Sequence, residues 1–356
     1  MQIPSRTDVL NEARAAGWKI AAVLPIHAPR ALLRAFGFHP VEVWGPPGIE
    51  PDLGGRHLQA YTCSIVRNAA TFLGGAGGRL VDCVLVPHTC DSLQGLGCVL
   101  QGFLPTGRPV FTLYHPRGRD DAHVEFLGRE LRALAEQLAS LAGGRPTDEE
   151  LHHALDRESK VDELFAAVCH NRRDYDVTDR EFFATLRARE FLGLDAFAAL
   201  ARSLPRAGRR TGRVPLMLSG IVPEPMDLFD HLEEMGAGVV IDDLACCGRR
   251  IYIDDGDADP YRRMAKQLLS APPDPTRGDS VRARTDYLLD IMERYGARAA
   301  VFYNIKFCEP ELFFLPLQRQ AIEARGWPTL YLEEELPSTL PAQAMNRLEA
   351  FLEMLS

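Results

Sequence analysis

The stretch Val81-Asp82-Cys83-Val84-Leu85-Val86-Pro87-His88-Thr89-Cys90-Asp91-Ser92 constrains this chain more than any other. Its apolar run is rich in Val and Leu and stops at a proline. A cysteine follows within three residues, then Asp and Ser, which suit the start of a helix. Such a run reads as a strand buried in a parallel sheet that delivers a thiol to its carboxyl end. In open α/β sheets that end is where ligands bind. The layout recurs downstream, where Ala299-Ala300-Val301-Phe302-Tyr303-Asn304 leads to Cys308-Glu309-Pro310. With Cys63, these strand ends are expected to converge on one iron–sulfur cluster.

The 356 residues exceed one ordinary core and suggest two α/β domains. A formal net charge of −9 argues against a nucleic-acid partner. No apolar stretch approaches the roughly 20 residues a membrane span needs. Met1 to Lys19 is polar and lacks the apolar core of a signal peptide, so a cytoplasmic location is expected. Eight cysteines in a reducing compartment point to metal or redox roles rather than to disulfides.

Along the chain, strands are expected at Ile20 to Leu24, Val41 to Trp44, the stretch around Cys83, and Pro109 to Tyr114. Helices fall between them at Pro29 to Phe36, Leu58 to Leu73 and from Cys90 through Val99. Gly45-Pro46-Pro47-Gly48 breaks the second strand. From His123 to Leu204 the strand signal vanishes, and Leu127, Leu131, Leu134 and Leu138 recur at helical spacing. Alternation then resumes, with strands at Val214 to Leu218, Gly238 to Ile241, Ala299 to Tyr303 and Thr329 to Leu332. Helices are expected at Met226 to Met235, Arg282 to Tyr295, Leu312 to Ala324 and Ala342 to Leu355. The expected organisation is a Rossmann-like domain over residues 1–122, a helical segment over 123–210 and a second Rossmann-like domain over 211–356, each sheet parallel and doubly wound. Arg206 to Arg213 reads as a solvated basic connection, with a phosphate-gripping loop as the sharper alternative.

No phosphate-binding Gly-rich loop and no C-x-x-C pair occurs, which disfavours nucleotide loops, zinc ribbons and thioredoxin-like chemistry. Cluster ligands must then come from distant loops. Cys63, Cys90 and Cys308 each stand at an expected helix start, where backbone N–H groups and the helix dipole would favour thiolate. Three thiolates on a cubane leave one iron open. Two alternatives stand beside this: thiols that merely fill space in a two-lobed ligand-binding protein, and a zinc ion on Cys63, Cys90, Cys308 and a histidine. Cys83, Cys98 and Cys169 read as structural, while Cys246-Cys247 follows a strand and could join the site. Asp242 and Asp243 read as a cap or as acid/base groups. His27 and His88, both after strands, are candidate proton donors or plain loop residues.

Taken together, these stretches resemble the D-component family of 2-hydroxyacyl-CoA dehydratases, which includes benzoyl-CoA reductase subunits. The resemblance runs through Ala35-Phe36-Gly37-Phe38-His39-Pro40-Val41 with Trp44-Gly45, Tyr61-Thr62-Cys63, Pro87-His88-Thr89-Cys90-Asp91, Asp242-Asp243-Leu244 with Gly248 and Arg250, and Lys306-Phe307-Cys308-Glu309-Pro310-Glu311. It implies Rossmann-like domains and one [4Fe-4S] cluster on Cys63, Cys90 and Cys308. It further implies a dimer with itself or a homologous subunit, and an ATP-hydrolysing iron–sulfur activator that injects a low-potential electron. The chemistry implied is ketyl-radical dehydration or ring reduction of a CoA thioester, a lyase or oxidoreductase activity. Where many relatives carry proline–any–glutamate after the first strand, this chain has Pro29-Arg30-Ala31. That departure keeps two further readings in view, an electron-relaying partner subunit and a double-cubane-type reductase of small molecules.

Overall fold

A computed structural model describes residues 3–45, 52–104, 107–206 and 213–355. The Gly45–Gly48 break therefore falls largely outside the described residues, as does most of the basic Arg206–Arg213 connection.

The first half runs α1 (Arg6–Ala15), β1 (Lys19–Val23), α2 (Arg30–Ala35), β2 (Phe38–Glu42), α3 (Asp52–His57), α4 (Ser64–Gly74), β3 (Cys83–His88), α5 (Asp91–Gly102) and β4 (Val110–Tyr114). Four helices follow: α6 (Asp121–Ala142), α7 (Asp148–His170), α8 (Asp179–Ala188) and α9 (Leu194–Arg202). The second half runs β5 (Val214–Gly220), α10 (Asp227–Glu234), β6 (Ala237–Leu244), α11 (Pro260–Leu269), α12 (Val281–Tyr295), β7 (Ala299–Ile305), α13 (Glu309–Glu323), β8 (Thr329–Glu334) and α14 (Ala342–Glu353).

The strands form two parallel four-stranded sheets, ordered β2-β1-β3-β4 and β6-β5-β7-β8. The two orders are the same winding pattern, so each sheet has its topological switch beside its first strand. The expected doubly wound α/β architecture is what the structure has. Both faces of each central strand are buried, which is why their sequences are continuous apolar runs. In β1, Ala21 and Val23 face a core with α2, α6 and α11, joined by Cys83 and Leu85 of β3. Ile20 and Ala22 face the opposite way, with Val84 and Val86, into a larger core. That larger core also holds Leu216 and Leu218 of β5 and Val301 and Tyr303 of β7, so the two sheets share it. The outer face of the second sheet packs Met217, Ile241, Ala300 and Phe302 beneath α12 and α13.

Helices α1 and α11 had no sequence expectation. In α1 only Val9 and Leu10 are buried, too little apolar signal to stand out. Asp259 caps α11, whose Met264, Ala265, Leu268 and Leu269 pack on the first sheet although the helix lies late in sequence. The long α7 opens on a capping box: Glu150 N–H donates to Thr147 Oγ1 at 3.2 Å and Thr147 N–H to Glu150 Oε2 at 2.7 Å. Thr147→Ala is expected to lower unfolding stability by about 1 kcal/mol, read from urea denaturation, because it leaves an N-terminal donor of α7 without its acceptor.

Candidate functional site

Each sheet ends its third strand in a cysteine that starts a helix. Cys90 is the N-cap of α5, directly after β3, and Cys308 is the N-cap of α13, shortly after β7. Cys63 is the N-cap of α4. None of the three caps its helix with a side-chain hydrogen bond, so each thiol is left to other work. The turn into Cys308 passes through Phe307 at φ 63°, a conformation that bulky residues rarely adopt and that clusters at functional sites.

The three sulfurs lie within electrostatic reach of one another. A charge on Cys63 would act on Cys90 and on Cys308, and a charge on Cys90 would act on Cys308. Buried hydrogen-bonding atoms without a partner stand beside them in sequence: Ser64 Oγ next to Cys63 and Thr89 Oγ1 next to Cys90. Asn304 Oδ1, at the end of β7, is a third.

Glycines let the backbones close in. A Cβ on Gly45, whose φ is 70°, would stand 2.4 Å from the carbonyl oxygen of Ile65 in the first turn of α4. A Cβ on Gly220, at φ 153°, would stand 2.0 Å from the carbonyl oxygen of Tyr303. Only glycine fits either place.

The expectation that these helix starts lower the thiol pKa does not hold in the structure. Burial pushes Cys63 up, Cys90 up to about 12 and Cys308 well above its ordinary value. Backbone N–H groups do pull down, from Val66 on Cys63 and from Leu93 and Ser92 on Cys90, but desolvation outweighs them. Burial raises Cys83 and Cys169 in the same direction, so what sets Cys63, Cys90 and Cys308 apart is their place at helix starts. Among the described residues no three His, Cys, Asp or Glu side chains are close enough to hold a single metal ion. The zinc reading on Cys63, Cys90, Cys308 and a histidine therefore has no geometric basis among those residues. A cubane spreads its thiolates around a body of four irons and asks for a wider spacing than a single ion does.

A buried ionic network fixes the third corner. Arg249 is fully buried and donates to the Gly220 carbonyl at 2.7 Å, to the Asp243 carbonyl at 3.0 Å, to Asp274 at 3.3 Å and to Glu311. Glu311 lies in the first turn of α13, and its N–H donates to the Cys308 carbonyl at 3.1 Å. Asp243 also pairs with Arg284 and accepts from Ser219 Oγ at 2.7 Å. Asp243 is thus a structural anion rather than an acid or base.

Asp242 accepts from the N–H groups of Leu244 at 3.1 Å and Gly248 at 2.7 Å, which is the capping role. Burial raises its pKa to about 7 despite those donors. The native state therefore holds this proton between roughly pH 4 and pH 7 while the unfolded chain releases it. Its stabilising effect is full below about pH 4 and is lost as pH rises to 7. Asp242→Asn keeps the acceptor oxygen, and its melting temperature is expected to fall less than wild type's across that window.

His88 closes β3 with its ring 4.9 Å from that of Tyr114. With Thr89, Cys90, His115, Arg117 and Arg277 it lines a cavity of about 250 Å³. His27 lies behind, 1% exposed and at φ 60°, with its ring 6.0 Å from that of His115 and Nδ1 3.4 Å from the Tyr252 hydroxyl. Burial, reinforced by Arg277, holds its pKa well below the ordinary value, so it is neutral. Ala31 packs in the core beside the first sheet, while Arg30 pairs with Glu42, which also binds Arg250 at 2.7 Å and Trp44 Nε1 at 2.8 Å.

Cys246 and Cys247 join another group. Their sulfurs are 3.5 Å apart and fully buried, and the groups acting on Cys247 are Cys246, Asp242 and Cys169. His115, Arg277 and Tyr252 escaped the sequence reading, and Thr89 entered it only as part of the stretch from Pro87 to Asp91. His115 follows β4 as His88 ends β3, so the strand-end rule could have found it. Nothing in the sequence brings Arg277 or Tyr252 to that sheet.

The model of the family described as 2-hydroxyglutaryl-CoA dehydratase, D-component, matches residues 25–355. The lactoyl-CoA dehydratase subunit beta of Anaerotignum propionicum is 27% identical, covering 94% of this chain and 91% of its own. The (R)-phenyllactyl-CoA dehydratase beta subunit of Clostridium sporogenes is 25% identical over 98% and 94%. A subunit of the benzoyl-CoA reductase of Thauera aromatica is 25% identical over 84% and 81%. These relatives agree with the expected dehydratase-like or reductase-like enzyme subunit, and a match across nearly its full length makes this chain a member of the 2-hydroxyglutaryl-CoA dehydratase D-component family.

Proposed function

We propose that this chain is the iron–sulfur subunit of a 2-hydroxyacyl-CoA dehydratase-like or benzoyl-CoA reductase-like enzyme, with one [4Fe-4S] cluster on Cys63, Cys90 and Cys308. What supports this reading is that three helix-start thiols from distant parts of the chain lie within electrostatic reach of one another. When bound, the cluster would supply a low-potential electron and an iron position open to an oxygen ligand. The starts of α4, α5 and α13 orient the three sulfurs, and burial of Cys63 keeps water from that corner. Arg249 and Glu311 fix the first turn of α13. His88 lines the cavity beside Cys90, which supports it as the residue that exchanges a proton there. His27, neutral and behind it, is the second candidate for proton exchange in this reading, with its Nδ1 3.4 Å from the Tyr252 hydroxyl.

The partners in this reading are a homologous second subunit or a second copy, an ATP-hydrolysing iron–sulfur activator and a CoA-thioester substrate. The D-component and beta-subunit names of the relatives support a partnered enzyme. A reducing cytoplasmic setting fits eight cysteines that are all free. Among the described residues no helix is long and apolar enough to cross a membrane.

Anaerobic purification tests the reading. The expected product is brown, with a broad visible band and about four irons per chain. A colourless chain that stays iron-free after anaerobic reconstitution would overturn it.

A further inference from the structure

The cavity at the ends of β3 and β4 has hydrogen-bonding capacity that the protein does not use. Thr89 is 6% exposed, and its Oγ1 has no partner. The ring nitrogens of His115 are buried, with the His27 backbone as the one group that approaches them, and Nε of the buried Arg277 is unpaired. Buried polar atoms left unsatisfied cost about 1–3 kcal/mol each. Several of them around one space mark a place that receives a polar ligand.

Charge narrows the ligand class. Arg277 is largely engaged: Nη1 donates to the Leu268 carbonyl at 3.1 Å, Nη2 to the carbonyls of Ala271 at 3.0 Å and Pro272 at 2.9 Å and to Asp279 at 3.1 Å, which leaves Nε open. Arg117, exposed at the rim, has no ion-pair partner among the described residues. Asp91 supplies a carboxylate to the same wall. His115 is neutral, because burial and then Arg277 push its pKa to about 3, so its ring offers one N–H and one lone pair. The guanidinium fork of Arg117, the Thr89 hydroxyl and an imidazole N–H of His115 match the two oxygens of a carboxylate. At about 250 Å³ the space falls below the usual range for drug-sized ligands and suits an acid of a few carbons.

We propose that the cavity formed by Thr89, His115, Arg117 and Arg277 binds a small carboxylate beside the Cys90 thiol. The site shares a wall with the cluster reading above but does not require iron.

Calorimetric titration of the full chain, purified anaerobically and assayed for iron in the same sample, tests this with sodium propionate, propionamide and inorganic phosphate. Propionate is expected to bind saturably and propionamide not to bind. Arg117→Gln, a change at the exposed rim, and His115→Gln, checked for folding by its melting curve, are each expected to weaken propionate about tenfold. Cys98→Ser, on the exposed side of α5, is expected to bind as wild type does. The proposal falls if propionate does not saturate, if propionamide binds as well, or if neither Arg117→Gln nor His115→Gln weakens binding. Phosphate binding in place of propionate overturns the carboxylate assignment. Iron without propionate binding removes this proposal and leaves the cluster, whereas propionate binding to an iron-free chain does the reverse.

Discussion

Replacing Cys90 by serine is expected to drop bound iron from about four per chain to below about one, with loss of the visible band. Serine matches cysteine in size but offers a hard hydroxyl that holds iron poorly where a soft thiolate holds it well. The chain supplies three thiols by this reading, and losing one leaves a cubane held at two corners, open to water on the side of the half-buried Cys90. Cys308→Ser should behave alike, because it removes the corner contributed by the second sheet. Cys98→Ser is the control, since that thiol is exposed on α5 away from the helix start. Equal iron loss in Cys90→Ser and Cys98→Ser would sink the ligand assignment. Iron, sulfide and the melting curve should be measured together, so that loss of metal is separated from loss of fold.

Arg249→Met is expected to cost about 3–5 kcal/mol of unfolding stability at neutral pH. Arg249 donates to Glu311, Asp274 and two backbone carbonyls in a fully buried setting. Methionine fills much of the volume but leaves Asp274 and Glu311 as buried anions without their shared cation. Asp274 keeps its Thr276 donors and Asp243 keeps Arg284, so the network is weakened and not emptied. The pH dependence carries a sign. In the native protein Asp274 titrates well below the ordinary carboxylate range, owing in large part to Arg249, so its contribution is present at neutral pH and lost as pH falls through that depressed value. The variant has lost that contribution already, so the gap between it and wild type should narrow in acid. Arg157→Met gives the contrast, because its partner Asp195 is exposed and such pairs contribute about 0–1 kcal/mol. An Arg249→Met chain within about 1 kcal/mol of wild type at pH 7 would show that the network does not hold α13.

Apolar runs located the eight strands found among the described residues because each sheet is buried on both faces, but their ends were set by residues the runs do not contain. The second strand was read from Val41, yet β2 begins at Phe38 and includes Pro40. A proline is tolerated there because β2 is an edge strand, where a missing N–H costs no ladder bond. The strand β6 continues through Asp242-Asp243, residues that look like a turn until Arg284 and Ser219 are found neutralising Asp243. The helix α13 starts at Glu309 and not Leu312, which makes Cys308 its N-cap.

The three cysteines were legible from their common setting, but their electrostatics were not. A helix start says which way a thiol pKa is pulled, and only packing says how much water is excluded. The pair Cys246-Cys247 shows the same limit: a strand-end position was visible, and the direction of those side chains into a closed core with Cys169 was not. His115 and Arg277 share a cavity although far apart in sequence, and no spacing rule spans that distance.

The placement of Cys63, Cys90 and Cys308 also bears on how the protein is made. Most of the polypeptide separates the second thiol from the third, and the strands that carry them lie in two sheets that share one core. A zinc finger lets its metal template a nascent loop, whereas the proposed ligand set would be complete only after the second sheet had formed and packed on the first. A cluster on these ligands would therefore be installed late, into a polypeptide that has already folded.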